Sequence, residues 1–131
     1  MKLTLHTDGG ARGNPGPAAI GWVLFDEERI IDHGSDTIGV TTNNVAEYEG
    51  LLRGLAAAKR HGCDDLDVYM DSELVVKQVR GEYAVKAAHL RELRERAARA
   101  LAAFPNHTIK HVPRNHPRQS RADSLVNEAL G

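Results

Sequence analysis

Three strand-like runs lie within the first 34 residues, separated only by turn signals, whereas every later strand-like run follows a helical pattern. Lys2-Leu3-Thr4-Leu5-His6 alternates polar and apolar residues with the period of a half-buried strand. Thr7–Pro17 follows, rich in Gly, Pro and Asn, and reads as a turn with Asp8 at the strand's end. Ala19–Phe25 is a second strand, Asp26-Glu27-Glu28 a polar turn and Arg29–Gly34 a third strand. Connections this short join antiparallel neighbours, so the three form a meander.

The pattern then changes period. Val45, Tyr48, Leu52, Leu55 and Ala56 share one helical face, with a start at Thr41-Thr42-Asn43-Asn44 and a stop at His61-Gly62. Leu66–Met70 is a fourth strand ending at Asp71, and a short helix over Ser72–Val79 breaks at Gly81-Glu82-Tyr83. Leu90, Leu93, Ala97, Leu101 and Phe104 mark a longer helix, and His107–Val112 a fifth strand. Pro113–Gln119 reads as a polar loop and Ser120–Leu130 as a last helix. Helical crossovers set the fourth and fifth strands parallel to the first. The expectation is an α/β fold, a mixed five-stranded sheet covered by helices, in one domain over residues 1–131. Ligands in such sheets gather at the carboxyl ends of parallel strands, where Asp8 and Asp71 fall.

Composition removes several function classes. No apolar run approaches the roughly 18 residues that span a membrane, and Met1-Lys2-Leu3-Thr4 has no signal-peptide character, so a cytoplasmic protein is expected. Cys63 is the only cysteine, which excludes an internal disulfide and a thiolate metal cluster. The formal net charge of -1 hides an asymmetry: residues 77–121 hold 11 basic and 3 acidic residues, the rest 6 basic and 15 acidic. An acidic half beside a basic half suits a metal site next to a polyanion track, or equally two solvated faces.

Four carboxylates stand where this topology can gather them: Asp8, Glu47, Asp71 and Asp123. Helix capping is an alternative for three of them, in Asn44–Glu47, Asp71-Ser72 and Ser120–Asp123. As a set they argue for cations, because two carboxylates 4 Å apart repel by about 1 kcal/mol in water and about 4 kcal/mol at an effective dielectric of 20. Mg²⁺ takes oxygen ligands, and a pair of ions can activate water and stabilise a leaving oxygen in phosphodiester hydrolysis.

With these residues in place, the whole chain resembles the type 1 ribonucleases H, which cut the RNA of RNA/DNA hybrids. The shared pieces are Thr7-Asp8-Gly9-Gly10 with Gly13-Asn14-Pro15-Gly16-Pro17, Thr41-Thr42-Asn43-Asn44 with Glu47, Met70-Asp71-Ser72, and Arg121-Ala122-Asp123. The resemblance implies strand order 3-2-1-4-5 with strand 2 antiparallel. It implies that Asp8, Glu47, Asp71 and Asp123 are catalytic and hold two Mg²⁺ ions, with Mn²⁺ as the alternative. It also implies that Gly9, Gly10, Asn14, Thr42 and Asn44 contact the hybrid. Amides and backbone groups suit a 2′-OH, which donates and accepts, although Asn14 and Asn44 also suit a turn and a cap.

Some members carry a basic, aromatic-rich handle after the second helix; here only Gly81–Lys86 separates the helices, leaving Lys77, Arg80 and Lys86 for the backbone. Many members place a mobile histidine before the last helix. Here Val112-Pro113-Arg114 resembles compact members with arginine near that role, while His116-Pro117 matches the second histidine of the longer loop. Arg114 and His116 therefore both remain candidates. A monomer is expected, and a related-fold 3′–5′ exonuclease or a non-catalytic hybrid-binding module are the competing functions.

Overall fold

The computed structural model describes residues 1–131. The chain runs β1 (Lys2–Ala11), β2 (Gly16–Asp26), β3 (Arg29–Thr41), α1 (Asn43–Arg60), β4 (Asp65–Met70), α2 (Glu73–Val79), α3 (Ala88–Ala102), β5 (Asn106–His111) and α4 (Pro117–Leu130). One five-stranded sheet has the order β3-β2-β1-β4-β5. The pairs β1–β2 and β2–β3 are antiparallel, and β1–β4 and β4–β5 parallel. The fold class, strand order and strand directions expected from the sequence are those observed.

Alternation along β1 and β2 sorts side chains to two faces. Leu3, Leu5, Ile20, Trp22 and Leu24 join Tyr48, Leu51 and Leu55 of α1 and Leu93, Ala97 and Leu101 of α3 in the main core. Val23 and Phe25 point the other way and pack with Ala122 and Leu125 of α4. Burying a Leu or Phe side chain contributes about 1.5–3 kcal/mol, so this double-sided core holds β1 and β2 rigid beneath the site.

Several boundaries differ from the sequence reading, among them the start of β2 at Gly16 where Ala19 was expected. The strand β1 does not stop at Asp8 but continues to Ala11, because Asp8–Ala11 pair with Ala18–Gly21 of β2. The strand β3 runs on to Thr41, a stretch whose exposed edge position leaves no apolar alternation to read. A bulge at Ile38 interrupts its pairing, since Ala18 faces Gly39 and Ala19 faces Thr37. Finally, α4 begins at Pro117 rather than Ser120, with proline at the first helical position, where its missing N–H removes nothing.

Candidate active site

The last β1–β4 pair is Thr7 with Met70. Asp8 and Asp71 are the next residue on each strand, so both carboxylates sit where the two strands part. Glu47 arrives from α1, whose backbone lies against β1 through two glycines. A Cβ on Gly9 would fall 2.1 Å from the Ala46 carbonyl oxygen, and one on Gly50 2.4 Å from that of Asp8. Only glycine permits this approach. The Gly9 N–H donates to Glu47 Oε1 at 2.8 Å, fixing the carboxylate above the strand. One oxygen from each of Asp8, Glu47 and Asp71 lies within 4.8 Å of the others.

Asp8 and Glu47 are 3% and 4% exposed. Burial, then the neighbouring Asp71, pushes the Asp8 carboxyl up to about 8. Burial, then Asp8 and Asp71, holds Glu47 well above the usual carboxylate range. Clustered carboxyl groups that resist ionisation are compensated by a cation. The nearest positive group in the protein is Arg114, whose Nε lies 3.3 Å from Asp71 Oδ2.

Asp123 stands apart from the tight trio. It lines a cleft of about 160 Å³ with Asp8, Gly10, Arg12, Asn43, Arg114 and Asn127, and Asn127 Nδ2 donates to its Oδ2 at 3.4 Å. Its charge still contributes to raising Asp8. The donor set is oxygen throughout, with no sulfur and no imidazole, which fits a hard divalent cation such as Mg²⁺ and not a thiophilic metal. A wider hollow of about 360 Å³ beside Arg80, His107 and Lys110 contains no carboxylate.

The capping alternatives are resolved by these positions. Thr42, not Asn44, caps α1, with Oγ1 accepting from the Val45 N–H at 3.3 Å. Ser72 caps α2, leaving Asp71 free for the cluster. His116 caps α4, while Ser120 donates to the Arg114 carbonyl. Glu47 and Asp123 consequently lie in the second turns of their helices and cap nothing, which removes the capping alternatives for Asn44–Glu47 and Ser120–Asp123.

Among the residues expected to meet nucleic acid, Gly9 borders the cleft, but its N–H is taken by Glu47. Gly10 is half-buried in the cleft wall. Asn14 Oδ1 accepts from the Asn43 N–H at 3.1 Å, and Asn43 Oδ1 accepts from the Ala11 N–H at 3.3 Å, tying the glycine loop to the start of α1. Thr42 and Asn44 are half-buried beside them. Sequence reasoning missed Asn43, Arg12 and Asn127, whose roles depend on contacts between distant elements.

Arg114 and His116 separate in space. Arg114 reaches the cluster, whereas the His116 ring stacks on His6 at 5.3 Å between centroids and accepts from the Arg118 N–H. His6 lies between His116 and Tyr69, 1% exposed, and burial pushes it down to about 4. It is neutral at neutral pH.

A family model described as reverse transcriptase-like matches residues 6–129. Ribonuclease HI of Halobacterium salinarum is 48% identical over 130 residues, 98% of this chain. A bifunctional protein of Mycobacterium tuberculosis is 41% identical over 132 residues. The chain spans 64% and 36% of the lengths of these two relatives. The crystal structure of RNase H1 from Halobacterium salinarum superposes with a TM-score of 0.94 at 45% identity, covering 99% of this chain and 98% of that one. LC11-RNase H1, solved in complex with an RNA/DNA hybrid, gives 0.89 at 44% identity, covering 98% and 96%. By sequence and fold alike, the chain belongs to the ribonuclease H1 family.

Proposed function

We propose that residues 1–131 act as a metal-dependent endoribonuclease that hydrolyses the RNA strand of RNA/DNA hybrids, leaving 5′-phosphate and 3′-hydroxyl ends. The observation that carries this reading is the convergence of Asp8, Glu47 and Asp71, from β1, α1 and the end of β4, on one point with oxygens within 4.8 Å. Binding of an RNA/DNA hybrid by LC11-RNase H1, a structural relative at 44% identity, supports the substrate.

Asp8, Glu47 and Asp71 would hold one Mg²⁺, and Asp8 with Asp123 offers oxygens for a second; Mn²⁺ suits the same donors. When bound, the ions supply water activation and charge neutralisation at the leaving oxygen. The protein's own groups orient the duplex. Gly10 presents backbone at the cleft, and Thr42, Asn14 and Asn44 offer neutral donors and acceptors for a 2′-OH or a phosphate. Arg114 carries a permanent positive charge beside the carboxylates and cannot relay a proton. His116, capping α4 and stacked on His6, acts as a structural residue. Lys77 and Arg80 pair with Glu73 and Glu82 at 2.7 Å each, so their pull on a phosphate backbone is reduced. Action as a monomer in the cytoplasm completes the reading. No helix is long and apolar enough to cross a membrane.

The products test the chemistry. Cleavage fragments of a hybrid, isolated after partial digestion, should be degraded by a 5′-phosphate-dependent exonuclease and extended by a polymerase from their 3′ ends. Fragments carrying a 3′-phosphate would refute the proposed chemistry. Single nucleotides released from an end would assign the exonuclease function instead, and binding without fragments the hybrid-binding module.

A further inference from the structure

Gln119 lies in α4 with 0% of its surface exposed, one helical turn before Asp123. Its side chain crosses to β1 and makes two hydrogen bonds there. Nε2 donates to the Thr7 carbonyl at 2.8 Å, and Oε1 meets His6 Nδ1 at 2.9 Å. The Thr7 carbonyl can only accept, which fixes the orientation of the amide. Oε1 must then accept as well, so His6 carries its proton on Nδ1. His6 is held in turn by rings on two sides, Tyr69 of β4 and His116 at the cap of α4.

The placement of this bridge is specific. Thr7 immediately precedes Asp8 and is paired with Met70, which precedes Asp71. Elsewhere α4 meets the sheet through apolar contacts, Ala122 and Leu125 against Val23 and Phe25, and through solvent-exposed hydrogen bonds from Ser35 Oγ to the Leu125 carbonyl and from Arg12 to the Leu130 carbonyl. Apolar contacts are non-directional and allow a helix to slide. Two short hydrogen bonds inside a dry interface do not, because a shift that lengthens either leaves a buried polar group unsatisfied.

We propose that Gln119, with His6 as its partner, is a positioning residue that sets the separation of Asp123 from Asp8. The proposal rests on the reading that these carboxylates serve the same cation-dependent reaction. The bridge acts on the carboxylates through backbone and helix register and touches neither directly. Loss of such a support typically lowers metal affinity or activity about 10–100-fold.

The test uses Gln119→Met, of similar length and volume but unable to make either bond, and the double variant His6→Phe with Gln119→Met. For each, the thermal midpoint is measured in EDTA, Mn²⁺ affinity by calorimetry without hybrid, and kcat, KM and the Mg²⁺ requirement on a hybrid. Gln119→Met is expected to lower kcat about 10-fold or more, leave KM within about twofold, and weaken Mn²⁺ binding about threefold or more. The double variant, with both side-chain partners apolar, is expected to regain much of the thermal midpoint while remaining slow. Recovery of kcat together with the midpoint would show a merely structural bridge and overturn the proposal, as would wild-type kcat and Mn²⁺ affinity in Gln119→Met.

Should Gln119→Met fail to fold, His6→Phe alone decides, since it keeps a ring in the stack and the Gln119–Thr7 bond. A kcat reduced about threefold or more supports the proposal and an unchanged one overturns it. Asp123→Asn, run in parallel, separates the two levels. A fully active Asp123→Asn removes the underlying reading and the proposal with it. An inactive Asp123→Asn beside a wild-type Gln119→Met overturns the proposal alone.

Discussion

Arg114 Nε stands 3.3 Å from Asp71 Oδ2, joining an arginine side chain that is 76% exposed to a carboxylate that is 6% exposed. The arginine thus competes with a cation for the Asp71 oxygen while being free to swing away. Arg114→Ala is expected to tighten Mn²⁺ binding to the hybrid-free protein about 2–3-fold and to slow hybrid cleavage about 10-fold or more, with Arg114→Lys between the two. Calorimetry and steady-state kinetics on the three proteins check this. Weaker Mn²⁺ binding in Arg114→Ala would show that the arginine organises the site instead of competing for it.

The raised carboxyl of Asp8 makes the metal-free protein sensitive to pH. Between the ordinary carboxylate range near 3.8 and about 8, Asp8 keeps its proton when folded and loses it when unfolded. Folding therefore takes up a proton, and stability falls as pH rises through that window, with Glu47 acting in the same direction. In EDTA, Asp8→Asn should raise the thermal midpoint at pH 7 by several degrees, at about 3–5 °C per kcal/mol, and flatten its pH dependence. Melting curves at pH 4, 6 and 8 test it. A lower midpoint at pH 7 with the slope retained would contradict the assignment of the burden to Asp8.

Gly9 offers a steric test of how Glu47 is placed. An alanine there would put its Cβ 2.1 Å from the Ala46 carbonyl oxygen, so α1 must lift from β1. Gly9→Ala is expected to destabilise by about 3 kcal/mol or more and to lower the midpoint by about 10 °C or more. Gly10→Ala is the control, because its Cβ would meet its nearest neighbour, Val126, at an ordinary 3.6 Å. Equal midpoints for the two variants would remove the close-approach argument.

His116→Ala should behave as a cap mutation. Loss of the bond from the Arg118 N–H and of the stack on His6 is expected to cost about 1–2 kcal/mol of stability. The pH profile of kcat should keep its shape, because the ring is engaged in the cap and in the stack on His6. Loss of a limb of that profile in the variant would instead make His116 the proton carrier.

Much of this was legible in the sequence because strands and helices here bury one face in regular alternation, as Leu3 and Leu5 or Leu93, Ala97 and Leu101 do. The four carboxylates were legible through the short motifs around them, such as Thr7-Asp8-Gly9-Gly10 and Met70-Asp71-Ser72, and not through element boundaries, since only Asp71 lies at one. The continuation of β1 past Asp8 was not, since Gly9 and Gly10 signal a turn locally and only pairing with Ala19 and Ile20 extends the strand. The edge β3 lacks a buried face to betray it. The early start of α4 was masked by Pro117, read as a loop residue though it suits a first helical turn. The bridge from Gln119 to His6 links residues 113 positions apart, and no local pattern encodes such a contact.

The most direct test of the central claim is cleavage of a hybrid whose RNA strand is end-labelled. It is run in Mg²⁺, in EDTA, and with Asp71→Asn, beside single-stranded RNA, double-stranded RNA and DNA duplexes. The account predicts internal cuts confined to RNA paired with DNA, abolished by EDTA and lowered by about 10³-fold or more in Asp71→Asn. Internal cleavage that persists in EDTA, or in Asp71→Asn at the wild-type rate, would contradict it.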